Sequence, residues 1–119
     1  MFKIKVEATF SAAHNLRGYK GKCEDLHGHN WKVEVVVANN KLDKIGMVMD
    51  FKLLKRKLSR LLERLDHKYL NNVVYFKKVN PTSENMAKYI YDSLKPEIAA
   101  IYSVTVWESD NSCATYYAE

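Results

Sequence analysis

The chain opens with strict alternation, Phe2, Ile4, Val6, Ala8 and Phe10 on one side of an extended backbone and Lys3, Lys5, Glu7 and Thr9 on the other. Successive strand side chains point to opposite faces, so this pattern predicts a half-buried β-strand. A polar stretch from Asn15 to Asp25 containing Gly18 and Gly21 reads as a loop, and alternation resumes at Trp31, Val33, Val35 and Val37. Two strands flanking a long loop are expected. Beyond the turn residues Asn39, Asn40 and Gly46 the apolar spacing changes to threes and fours at Phe51, Leu54, Leu58, Leu61 and Leu65, with Asp50 placed as an N-cap. That spacing predicts a helix with one buried stripe. After a loop through Asn71 and Asn72, Pro81 and Thr82 start a second helix: Thr82 is the N-cap, Glu84 suits the positive helix end, and Met86, Ile90 and Leu94 line one face. Pro96 limits that helix, and two β-rich runs, Tyr102 to Glu108 and Cys113 to Tyr117, close the chain around the turn residues Asp110 and Asn111.

The order ββ, αα, ββ predicts an α+β fold, a four-stranded antiparallel sheet with both helices on one face. No repeat, linker or composition break interrupts the 119 residues, so 1–119 is expected to form a single domain. Hydrophobic residues make up 47% of the chain, with only 4 Gly and 2 Pro, which excludes disordered and collagen-like classes. No apolar run approaches the ~20 residues of a membrane span. The charged, alternating start is no signal segment either, so a cytoplasmic protein without a membrane partner is expected. Two cysteines, Cys23 and Cys113, are too few for a disulfide framework and should stay reduced. A core this small buries a limited share of its surface, which favours oligomerisation.

The chemistry concentrates in Cys23-Glu24-Asp25-Leu26-His27-Gly28-His29. In extended backbone His27 and His29 point to one face with Cα atoms roughly 6.6 Å apart, so two imidazoles can share an ion. His14, at the end of the first strand, joins them if the two strands pair as a hairpin across the loop. Three neutral imidazoles suit Zn²⁺ with an open fourth position, the hallmark of a catalytic site; with Cys23 as fourth ligand the site would instead be closed and structural. Asp66-His67 joins a carboxylate to an imidazole, a pair suited to proton transfer near neutral pH or to ordinary helix-end chemistry. Glu108 reads as a sheet-edge charge or an inward-facing anchor.

The excess of 19 Lys and Arg over 14 Asp and Glu gives a formal charge of +5 and favours anionic partners. Lys52, Lys55, Arg56, Lys57, Arg60 and Arg64 make the first helix basic. A zinc module binding RNA through that helix is the remote alternative, because such charges ordinarily form a solvated face and no aromatic-rich RNA signature accompanies them. Nucleic acid is therefore not the expected partner.

Five motifs carry a family resemblance: Phe10-Ser11-Ala12-Ala13-His14, Cys23-x-x-x-His27-Gly28-His29, Leu65-Asp66-His67-Lys68-x-Leu70, Pro81-Thr82-Ser83-Glu84-Asn85 and Glu108-Ser109-Asp110-Asn111. Together they resemble the 6-pyruvoyltetrahydropterin synthase and 6-carboxytetrahydropterin synthase family, whose tunnelling fold has the same ββ, αα, ββ order. The resemblance implies zinc ligands at His14, His27 and His29, a catalytic thiol at Cys23 and a proton relay at Asp66 and His67. It makes Glu108 the anchor of the pterin ring, with Thr82 and Ser83 as polar neighbours of that ring. It also implies a homo-oligomer, tetramer or hexamer, whose sheets form a barrel with active sites between subunits. The implied substrate is 7,8-dihydroneopterin triphosphate, with zinc as Lewis acid. The three residues between Cys23 and His27 resemble the 6-carboxytetrahydropterin synthases of the queuosine pathway. Glu24 resembles the glutamate of a folate-bypass subgroup that makes 6-hydroxymethyl-7,8-dihydropterin. The Glu108-Ser109-Asp110-Asn111 ending looks more like the pyruvoyl synthases.

Overall fold

The computed structural model describes residues 1–119 except Cys23. Strand β1 runs Phe2–His14 and β2 runs His27–Asn39, followed by helix α1, Phe51–Leu62. A two-residue strand β3, Lys68–Tyr69, precedes two short 3₁₀ turns, then helix α2, Ser83–Leu94, and strands β4, Ile101–Ser109, and β5, Ser112–Tyr116. The sheet order is β3-β1-β2-β4-β5. Four of these strands form the expected antiparallel sheet; β3 corrects the count to five, pairing parallel to β1 through Ala12–Lys68 and Ala13–Tyr69. Two residues are too few to show any alternation, so this strand has no periodic signature.

The inward parity of the first strands continues as the alternation predicts. Val6, Phe10, Ala12 and His14 on β1 and Trp31, Val33, Val35 and Val37 on β2 are buried. They pack with Leu54, Leu58, Leu61 and Leu62 of α1 and Met86, Ala87, Ile90, Tyr91 and Leu94 of α2 in one core. Phe51, expected on the buried stripe of α1, is instead 51% exposed, and Leu62 takes a core position beside Leu61. Both helices are capped as read: Asp50 Oδ1 accepts from Lys52 N at 2.8 Å and Thr82 Oγ1 from Asn85 N at 3.1 Å. The opposite sheet face is polar, with Lys32 bridging Glu7 and Glu34 and Trp107 Nε1 donating to Glu34. Among the described residues, no helix is long and apolar enough to cross a membrane.

Candidate metal centre

Strand register builds the histidine cluster. His14 pairs directly with His27, Ala12 with His29 and Phe10 with Trp31, so both β2 histidines extend the inward face that Trp31 begins. Trp31 closes the cluster from below: its ring lies edge-on to His14 and His29, with centroids 4.9 and 5.1 Å away, and its Nε1 donates to Ala12 O. The β2–β4 register, pairing Lys32 with Trp107, carries the following residue, Glu108, to the same end of the sheet. Glu108 Oε1 consequently lies 3.2 Å from His29 Nε2.

Tautomers follow from the partners. His14 Nδ1 lies 2.8 Å from Pro81 O and His27 Nδ1 2.8 Å from Asp25 O. Carbonyls only accept, so each Nδ1 must carry a proton and donate it. In the neutral rings, each Nε2 is then a bare lone pair, yet these two nitrogens are 3.0 Å apart. Burial, the largest influence, pushes the His14 pKa below its ordinary value and favours the neutral ring; the Pro81 carbonyl opposes this and the neighbouring His27 reinforces it. His29 Nε2 is also buried without a hydrogen bond, since the Glu108 carboxylate near it is off hydrogen-bonding geometry. Lone pairs facing one another in a partly buried site fit a cation between them. One donor atom from each of His14, His27, His29 and Glu108 lies within 4.8 Å of the others, a set that can hold a metal ion. Imidazole and carboxylate donors of this kind suit a divalent transition-metal ion.

A groove of about 220 Å³ opens over this cluster, lined by His14, Leu16, Glu24, His27, Thr82, Ser83, Glu84 and Glu108. It therefore gathers five of the residues singled out in the sequence around the α2 N-terminus, together with Glu24. Glu24 is anchored in the loop: its Oε1 accepts from Leu16 N at 3.1 Å and stands 3.9 Å from His27 Nδ1. Asp66 and His67 are placed elsewhere. Asp66 Oδ1 accepts from Ser11 N and His67 N donates to Ser11 O, which puts the pair three residues back along β1, about 10 Å from His14. His67 adopts φ +58°, its side chain is 82% exposed, and its Nε2 lies 3.6 Å from Asp66 Oδ2. The proposed thiol, Cys23, lies outside the described residues; Cys113 is free and exposed.

Two asparagines clamp the β1–β2 loop. Asn71 accepts from Asn15 N and donates to Asn15 O, while Asn80 accepts from Arg17 N and donates to Arg17 O. Arg17 in turn donates to Phe76 O and Val79 O. These contacts set the loop against the segment that supplies Pro81 O to His14. Sequence reasoning missed them, since an asparagine clasp has no periodicity; the one available signal was an asparagine just ahead of Pro81.

The sequence model described as 6-pyruvoyl tetrahydropterin synthase matches residues 3–119. The chain belongs to this family. It is 40% identical to a Synechocystis protein named 6-carboxy-5,6,7,8-tetrahydropterin synthase, over 99% of this chain and 95% of that protein. It is 38% identical to the human 6-pyruvoyl tetrahydrobiopterin synthase, covering 98% of this chain and 92% of the human one. The solved structure of the Caenorhabditis elegans 6-pyruvoyl tetrahydropterin synthase superposes with a TM-score of 0.85 at 31% identity, covering 99% of this chain and 96% of that one. The α+β fold is thus the tunnelling fold of pterin-processing enzymes.

Proposed function

We propose that this family member is a zinc-dependent lyase converting 7,8-dihydroneopterin triphosphate and one water to 6-carboxy-5,6,7,8-tetrahydropterin, acetaldehyde and triphosphate, in cytoplasmic queuosine-type biosynthesis. The observation that carries the reading is the convergence of the His14, His27 and His29 nitrogens beneath a groove rimmed by Thr82, Ser83 and Glu108. His14, His27 and His29 would hold the zinc ion, which would supply Lewis-acid chemistry there.

The remaining steps belong to the chain's own residues. Glu108 accepts hydrogen bonds from the pterin amino and ring N–H groups, and Thr82 and Ser83 offer hydroxyls beside the ring. Cys23, as thiolate, removes a side-chain proton. Asp66 orients His67, which gives or takes the second proton. Because His67 is exposed and away from its own chain's histidines, it serves the site of a neighbouring subunit in a homo-oligomer, tetramer or hexamer. Glu24, Glu84 and Glu108 all line the groove, so the triphosphate is directed out of it by charge.

The carboxy product is supported by the short Cys23-to-His27 spacing and by the name of the Synechocystis relative. Two other products have their own support. Pyruvoyl synthesis draws on the Glu108-Ser109-Asp110-Asn111 ending and the human relative. A 6-hydroxymethyl product draws on Glu24, whose carboxylate is held inside the groove by Leu16 N. Mass spectrometry of the products from dihydroneopterin triphosphate decides among them. A 6-carboxy pterin with acetaldehyde is expected; a pyruvoyl or hydroxymethyl pterin without acetaldehyde overturns the assignment while keeping the site.

A further inference from the structure

The two helices differ in how their charges are partnered. On α2, Glu84 occupies the first turn and Lys88 Nζ lies 2.6 Å from Asp92 Oδ2 one turn on, both favourable placements. On α1, Lys52, Lys55, Arg56 and Arg60 are exposed, and Arg64 follows in the next turn. Lys52, Arg56 and Arg60 stand at i, i+4 intervals, about 6 Å apart along the axis, where like charges repel. The first turn contains no acidic residue and holds Lys52 against the positive helix end. Asp50 at the N-cap and Glu63 after the helix are the adjacent carboxylates. Among the described residues, Lys57 alone on this helix forms an ion pair, with Glu97.

Among the described residues, Lys52, Lys55, Arg56, Arg60 and Arg64 form no ion pair, whereas on α2 the same fold pairs Lys88 with Asp92. The apolar side of α1 is consumed by the core through Leu54, Leu58, Leu61 and Leu62, so the helix cannot insert into a lipid surface. A rigid file of cations with guanidinium forks is complementary to a regular array of phosphates. We infer that the outer face of α1 binds the phosphate backbone of nucleic acid without reading bases. No residue of α1 lines the histidine groove, and only Arg64, beyond the helix, shares a groove with His67, so binding at Lys52, Arg56 and Arg60 adds a partner rather than replacing the chemistry.

The test is fluorescence polarisation with a labelled, mixed-sequence DNA or RNA duplex. Wild type is expected to bind with an affinity that falls steeply with salt, a log–log slope of about −3 for the DNA. The double variant Arg56→Glu, Arg60→Glu should lose at least about tenfold in affinity, while Lys77→Glu, Lys78→Glu, an equal charge change at exposed positions elsewhere, should lose little. The single variant Arg56→Glu places a carboxylate between Lys52 and Arg60, so its melting temperature should not fall even as binding weakens. Pterin turnover should be unchanged in all three. Absent duplex binding at low salt, equal losses in both double variants, or binding to phosphatidylserine vesicles or polyglutamate in place of the duplexes would each overturn the inference.

Discussion

His14 and His27 face each other across the β1–β2 ladder with Nε2 atoms 3.0 Å apart, while each ring's Nδ1 donates to a main-chain carbonyl. Main-chain geometry thereby fixes both tautomers and aims two lone pairs at the same point. Both carbonyls, Pro81 O and Asp25 O, come from segments outside the strands, so the loops set the ligand chemistry and the register sets the spacing.

Glu108 and Cys23 separate binding from chemistry. With three imidazoles holding the ion, Glu108→Gln should keep zinc but lower kcat/KM by about 10²-fold, through the lost charged hydrogen bonds to the pterin. Cys23→Ala should likewise keep zinc and lose turnover. Metal analysis alongside steady-state kinetics checks both. Zinc loss in the cysteine variant would show a closed four-ligand site.

Acid should destabilise the metal-free protein through His14. Its folded pKa lies below the ordinary 6.5, so the unfolded chain binds the proton more readily. The stabilisation is therefore complete above pH 6.5 and is lost as pH falls through the lowered folded value. Urea unfolding at a series of pH values should show this decline, and His14→Gln should flatten it. Zinc binding should weaken over the same acidic range, because protons compete for the ring nitrogens.

Trp31→Phe tests the support beneath the cluster. The indole N–H to Ala12 O bond disappears, leaving a buried acceptor short of a partner at a cost of about 1–3 kcal/mol in urea unfolding. The ring edges against His14 and His29 also shift, and zinc affinity should fall about tenfold in a competition titration.

Asn80→Ala removes two hydrogen bonds to the Arg17 backbone, and Asn71 cannot replace them, since it clasps Asn15 instead. Stability should drop by about 1–3 kcal/mol. Because the loop it holds carries Glu24 into the groove, turnover should fall further than the fraction unfolded explains, measured well below the melting temperature.

Local patterns made the strands, both helix caps and the histidine trio readable. Alternation carries β1 from Phe2 to His14, and Asp50 and Thr82 cap through their own side chains. The pattern failed where function replaces apolar residues: β2 begins at His27, four residues before Trp31, because its inward positions there are imidazoles. The Asn71 and Asn80 clasps, the short β3 and the approach of Glu108 to His29 depend on contacts between distant segments, which no local spacing encodes. The Asp66-His67 pair was legible as a motif, but its place at the β1 edge was not.

Zinc content measured together with turnover tests the central claim most directly. Purified protein should hold one zinc per chain; His27→Ala should hold none and be inactive, and chelation of wild type should abolish turnover until zinc is restored. Full turnover by metal-stripped protein, or full zinc occupancy in His27→Ala, would contradict the account.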